Sequence, residues 1–176
     1  MVVKMKSYFS PFPKGTKYEE IPDELSEYNF FSHKRFVSTR EAKDLAVDIG
    51  TPILTIENGV IVSVKNDSDR YINPKIHSRY KVLLERNDSI NEKLRRLEDE
   101  LMEFAKKYTN YVQVSQVDGC IAEYVHLDKN TQVIVKQKVK QGDRIGFVGM
   151  TGVTDRPHLH LNIFENVSVP FELRER

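Results

Sequence analysis

Five histidines punctuate this chain of 176 residues: His33, His77, His126, His158 and His160. Two of them share one short block, His158-Leu159-His160, continued by Leu161-Asn162-Ile163-Phe164. Successive side chains of an extended strand alternate faces, so His158, His160 and Asn162 point one way and Leu159, Leu161 and Ile163 the other. Imidazole is the commonest metal ligand, and two of them on one rigid strand arrive largely pre-oriented. The pattern is that of a metal site carried on a sheet over an aliphatic core. A half-exposed strand whose polar face happens to hold two histidines would look the same, so the rest of the chain has to decide.

Four other blocks precede this one. They are Ala42-Lys43-Asp44-Leu45-Ala46, Gly50-Thr51-Pro52-Ile53, Tyr124-Val125-His126-Leu127, and a glycine-punctuated run from Gly142 to Gly152 that leads to Pro157-His158-Leu159-His160. In this order the blocks resemble the M23 family of zinc metallopeptidases, the lysostaphin and LytM-like endopeptidases, over most of residues 33–65 and 111–165. The resemblance implies one zinc ion (Zn2+) per chain, held by three protein ligands with a fourth position left for water. It makes Asp44 and the second histidine of the pair, His160, two of those ligands. The usual His-x-x-x-Asp spacing would put the third at position 40, where Arg40 stands. A guanidinium stays protonated and cannot bind zinc. Phe31-Ser32-His33, however, looks like the variant of the family in which a Ser-His pair lies farther upstream, so His33 is the expected third ligand and His77 the alternative. His126 and His158 correspond to the family's non-ligand histidines, which orient or deprotonate the water and stabilise the oxyanion. Tyr124 and Asn162, read as sharing faces with His126 and with His158–His160, are candidate substrate contacts.

The elements that must position these groups read mainly as β. Pro52 to Val64 is rich in β-branched residues, and Asn58-Gly59 within it suggests a hairpin turn. Tyr111 to Val117 and Cys120 to His126 alternate on either side of Asp118-Gly119, and residues 132–136, 144–149 and 157–165 supply further short strands. A small antiparallel β-sandwich or barrel follows, of the LytM (duplicated hybrid motif) type that the resemblance implies. Between the strands, Ile90, Leu94, Leu97, Leu101, Phe104 and Tyr108 fall at 4-3-4-3-4 spacing, which predicts one inserted amphipathic helix from near Asp88 to near Lys107. The expected organisation is an extended segment over 1–30, then an M23-like β domain over 31–176 with the helical insertion at about 76–109. The helix stripe faces the chain's own core or forms a homodimer.

Composition narrows the function. With 27 basic and 26 acidic residues the formal net charge is +1, which gives no footprint for nucleic acid. The single cysteine, Cys120, excludes an intrachain disulfide. Gly142, Gly146, Gly149 and Gly152 lack the Gly-Lys-Ser/Thr ending of a phosphate loop. No apolar run spans a bilayer and the amino terminus has no signal-peptide core, so a cytoplasmic location is expected, or an extracellular or cell-envelope one if the chain is trimmed. Three functions fit: a zinc endopeptidase hydrolysing peptide bonds of peptidoglycan-type cross-links, an inactive scaffold of the same fold, and, far behind, a biotinyl- or lipoyl-like carrier, which would need an exposed lysine that Met150-Thr151 does not supply.

Overall fold

Alternation with period two builds the centre of the protein. A computed structural model describes residues 5–23, 33, 38–73 and 90–176, with side chains of the helix described from residue 96 onward. The elements are β1 (Lys6–Phe9), β2 (Glu19–Ile21), β3 (Lys43–Ala46), β4 (Pro52–Leu54), β5 (Gly59–Lys65), β6 (Tyr71–Ile72), α1 (Ile90–Tyr108), β7 (Tyr111–Gln116), β8 (Ile121–Val125), β9 (Lys138–Val139), β10 (Arg144–Phe147), β11 (Gly152–Val153), β12 (His158–Phe164) and β13 (Phe171–Arg174). Seven strands form one sheet in the order β2-β3-β12-β8-β7-β5-β9, with every pairing antiparallel. Three two-stranded pieces complete the fold: β1-β13, β10-β4 and β11-β6. The molecule is mainly β, with one helix among the described residues, as the strand pattern predicts.

One face of the large sheet is mostly apolar. Leu45 of β3, Leu159, Leu161 and Ile163 of β12, Ala122 and Tyr124 of β8, Val112 and Val114 of β7 and Ile61 of β5 are buried in one cluster. Phe12, Ile53 of β4, Ile145 of β10, Leu127 and Val148 belong to the same cluster. Replacing a buried leucine such as Leu161 by alanine would cost about 2–5 kcal/mol, so the strand that carries the histidine pair is firmly seated.

The expected hairpin over residues 52–64 is a correction. β4 pairs with β10, whereas β5 pairs with β7 and β9. Two adjacent β-branched runs read alike whether they pair with each other or with distant strands, and Asn58-Gly59 does not close a hairpin here. Gly59 is instead required by close approach, since a β-carbon there would lie 2.3 Å from the Ser115 carbonyl oxygen. The expected strand at 132–136 is also displaced, to Lys138–Val139. The β7–β8 hairpin does form, closed by Gln116 N donating to Cys120 O. Residues 5–23, read as part of an extended lead-in, supply the edge strand β2 and the core side chains Tyr8 and Phe12.

The helix spans Ile90–Tyr108, and its predicted start at Asp88-Ser89 lies outside the described residues. Leu97 and Leu101 of its stripe are buried, and α1 packs on β11 of its own chain. The close packing there is permitted by Gly152, which has φ +84° and whose missing β-carbon would collide with Thr109. No described helix is long and apolar enough to cross a membrane.

Candidate metal centre

The register of β12 brings the donors together. His160 pairs with Asp44 of β3 on one side and with Val125 of β8 on the other, and directly paired residues share a face. His160 Nδ1 lies 3.0 Å from Asp44 Oδ1, and His158 Nε2 lies 3.5 Å from the same oxygen. The other carboxylate oxygen, Oδ2, is 3.3 Å from His33 Nε2. One donor atom from each of His33, Asp44 and His160 falls within 4.8 Å of the others. Asp44 keeps 25 % of its side chain exposed and His126 is half-buried, so the cluster opens to solvent on one side.

His33 does not lie on a strand. Its Nδ1 donates to the Ala42 carbonyl oxygen at 3.1 Å, and Thr39 Oγ1 donates to the His33 carbonyl oxygen at 3.3 Å. The turn at Ser38–Glu41 is tied down from β12: Asn162 Nδ2 donates to Ser38 O at 2.8 Å. Ser168 Oγ donates to Asn162 Oδ1 at 2.8 Å and accepts from Glu41 N at 3.1 Å. The chain before Asp44 is thereby anchored next to the site.

Backbone carbonyls also select the tautomers of the remaining rings. His126 Nδ1 donates to Thr151 O at 2.7 Å, and His158 Nδ1 donates to Arg156 O at 2.9 Å. A carbonyl only accepts, so His33, His126 and His158 each carry their proton on Nδ1 when neutral and keep the lone pair on Nε2. The Thr154 hydroxyl, 3.2 Å from His158 Nδ1, donates to the same Arg156 carbonyl at 2.7 Å. The rings of His126 and His158 stand 4.6 Å apart, and those of His33 and His160 4.7 Å.

The electrostatics follow from this crowding. Burial works to raise the Asp44 carboxyl, but hydrogen bonds from His160 and His33 outweigh it and hold it well below the usual carboxylate range. His33 is opposed by burial yet raised on balance by Asp44. His126 is pushed down to about 3 by burial and by the neighbouring His158 and His160. Burial likewise lowers His158. Near neutral pH the site therefore holds an anion, Asp44, beside two neutral rings, His126 and His158.

Two expected contacts fall elsewhere. Tyr124 is fully buried on the core face, opposite Leu161, and its hydroxyl accepts from Ile56 N at 3.0 Å. The expectation that it shares a face with His126 fails because β8 ends at Val125 and His126 takes φ 65°, which breaks the alternation. A non-glycine residue in this region costs about 1–2 kcal/mol, so something must hold it there. Asn162 does lie on the face of His158 and His160, but it is 2 % exposed and occupied with the Ser38 turn rather than open to a substrate. Arg40 is exposed in that turn, and His77 lies outside the described residues. The sequence reading missed Ala42, Thr151 and Arg156, because they act through carbonyl groups that every residue type carries. Ser168 carried no signal in its spacing.

Three donors around one point, open on one side and flanked by two more imidazoles, are the layout of a single-metal hydrolase. Residues 100–170, which include His126, His158 and His160, match the sequence model of peptidase family M23. The chain is 28 % identical over 170 residues to an uncharacterized metalloprotease of Buchnera aphidicola, covering 96 % of this chain and 35 % of that protein. It is 28 % identical over 129 residues to peptidoglycan DD-endopeptidase ShyA of Vibrio cholerae, covering 72 % of this chain and 20 % of that protein. A mutant of the catalytic domain of the prophage-encoded M23 protein EnpA from Enterococcus faecalis shares the fold, with a TM-score of 0.50 at 18 % identity over 94 % of this chain and 93 % of that one. The chain spans about a third or less of the length of the curated relatives it matches. Family M23 peptidases depend on zinc, and one carboxylate with two imidazoles is a donor set that suits this ion.

Proposed function

We propose that the chain is a zinc-dependent endopeptidase that hydrolyses peptide bonds in peptidoglycan-type cross-links, with His33, Asp44 and His160 as the metal ligands and His126 and His158 as the proton-handling pair. The observation that carries this reading is the convergence of three donors from separate segments of the chain within 4.8 Å. The substrate class and a cell-envelope location are supported by the likeness to the peptidoglycan DD-endopeptidase.

When bound, the ion polarises the scissile carbonyl and acidifies the attacking water. The chain's own groups do the rest. Asp44 remains an anion and supplies the negative charge that the ion needs. The Ala42 carbonyl holds the proton of His33 on Nδ1, which turns the Nε2 lone pair toward the centre. His126 and His158 are neutral with Nε2 unprotonated, so either ring can accept the proton of the attacking water. The ring that receives it becomes a cationic N–H donor for the oxyanion and the source of the proton for the leaving amine. Arg40, the residue that favoured an inactive scaffold, is exposed and makes none of the described contacts of the centre, which weakens that alternative.

Purified protein should carry about one equivalent of zinc and cleave cross-linked muropeptides. His126→Ala should keep the metal and lose roughly 10²- to 10⁴-fold in turnover. Protein that cannot be loaded with metal and leaves every cross-link intact would return the scaffold reading.

A further inference from the structure

We infer that Asn110 is a positioning residue for His126, an inference that rests on the role proposed for that histidine. Asn110 is completely buried between the end of α1 and the start of β7, and it does not touch the His126 ring. Its carboxamide uses three of its hydrogen-bonding positions. Oδ1 accepts from Ser68 N at 3.1 Å, while Nδ2 donates to Ser68 O at 2.8 Å and to Leu127 O at 3.1 Å. Its backbone completes the grip: Leu127 N donates to Asn110 O at 3.3 Å, and Asn110 N donates to Thr151 Oγ1 at 2.9 Å. The Thr151 hydroxyl in turn donates to Leu127 O at 3.0 Å.

Both peptide groups of Leu127, the residue directly after His126, are thus fixed by Asn110 and Thr151. The first of them is the 126–127 peptide, whose plane sets the ψ of His126. His126 is one of two non-glycine residues with positive φ among those described, and its carbonyl accepts from Gly149 N at 3.0 Å. The ring bond from His126 Nδ1 to Thr151 O closes the circuit. Asn110, Leu127, Thr151 and His126 form one hydrogen-bonded loop in which the first three members hold the fourth. The chemistry requires an amide at 110. An aspartate would set a charge against two carbonyl oxygens, and an alanine would take the Asn110 donor from the Ser68 carbonyl and leave the Leu127 carbonyl with Thr151 alone.

The test compares Asn110→Ala and Thr151→Val with the parent protein by zinc content, kcat against KM on a cross-linked muropeptide, and the tautomer of His126 read by imidazole nitrogen NMR. Zinc content should not change, because neither residue touches a donor of the centre. kcat should fall roughly ten- to a hundredfold for Asn110→Ala with KM little altered, as expected for a misplaced reacting group, and less for Thr151→Val. The His126 ring should pass from a single Nδ1-protonated form to a mixture in both variants. An unchanged His126 spectrum in a folded variant overturns the inference, as does a loss of zinc equal to the loss of kcat. If Asn110→Ala does not fold, Thr151→Val decides by the same readouts. If the parent does not turn over substrate, or His126→Ala turns over normally, the endopeptidase mechanism fails while the tautomer measurement still judges the positioning role.

Discussion

The proposed ligands reach the centre in two different ways. Asp44 and His160 are directly opposed on paired strands, so their approach is written into a ladder of backbone hydrogen bonds above an apolar floor. His33 comes from outside any strand and depends on Ala42 O, Thr39 and a turn tethered to Asn162 and Ser168. The sheet half cannot shift without disturbing the core. The loop half is only as well placed as a few polar contacts make it, and this is where the centre is expected to be adjustable.

The largest effect should come from the shared carboxylate. Asp44→Ala removes the partner of His33, His160 and His158 at one stroke, and zinc affinity measured against a chelator should fall by at least about a hundredfold. His33→Ala should abolish zinc binding as well, whereas His77→Ala should leave it intact; the reverse result would move the loop-borne ligand to His77. Asn162→Ala isolates the tether: affinity should drop about ten- to a hundredfold although no ligand is altered. A drop as large for Asn162→Ala as for Asp44→Ala would mean that the sheet half is not rigid.

Acid should loosen the metal-free centre. His126 has a folded value of about 3 against about 6.5 when unfolded, so the unfolded chain binds the extra proton first as pH falls. Stability is therefore lost below pH about 6.5, by roughly 1–2 kcal/mol at pH 5, and lowered His158 acts in the same direction. Raised His33 works in the opposite sense, adding stability below the ordinary histidine value. His126 and His158 together should win, so the midpoint of thermal unfolding of chelator-treated protein should fall between pH 7 and pH 5. Zinc affinity should fall over the same range, because His33 must give up its proton to bind. The smallest effect belongs to Arg40→Ala, which should change stability by less than about 0.5 kcal/mol and zinc content not at all.

The same division marks what could be read from the sequence. The His158-x-His160 strand, its aliphatic underside and the β7–β8 hairpin were legible because period-two alternation is a local signal. The pairing of β4 with β10 was not, because partner choice depends on contacts far along the chain. Tyr124 was misplaced for a related reason. Alternation was carried one residue too far, past Val125, and a positive φ at a non-glycine residue leaves no mark in the sequence. The nearness of His33 to Asp44 came from a resemblance, whereas the turn that produces it rests on Asn162 and Ser168, which no spacing rule connects.

Three of the four histidine rings at the centre spend their Nδ1 proton on a main-chain oxygen. Ala42 and Arg156 can therefore drift to other residue types without changing which nitrogen of His33 or His158 is left bare, so long as the backbone keeps its path. Protonation at this centre is governed by the shape of the chain, and comparison of side chains between relatives is blind to much of what sets it.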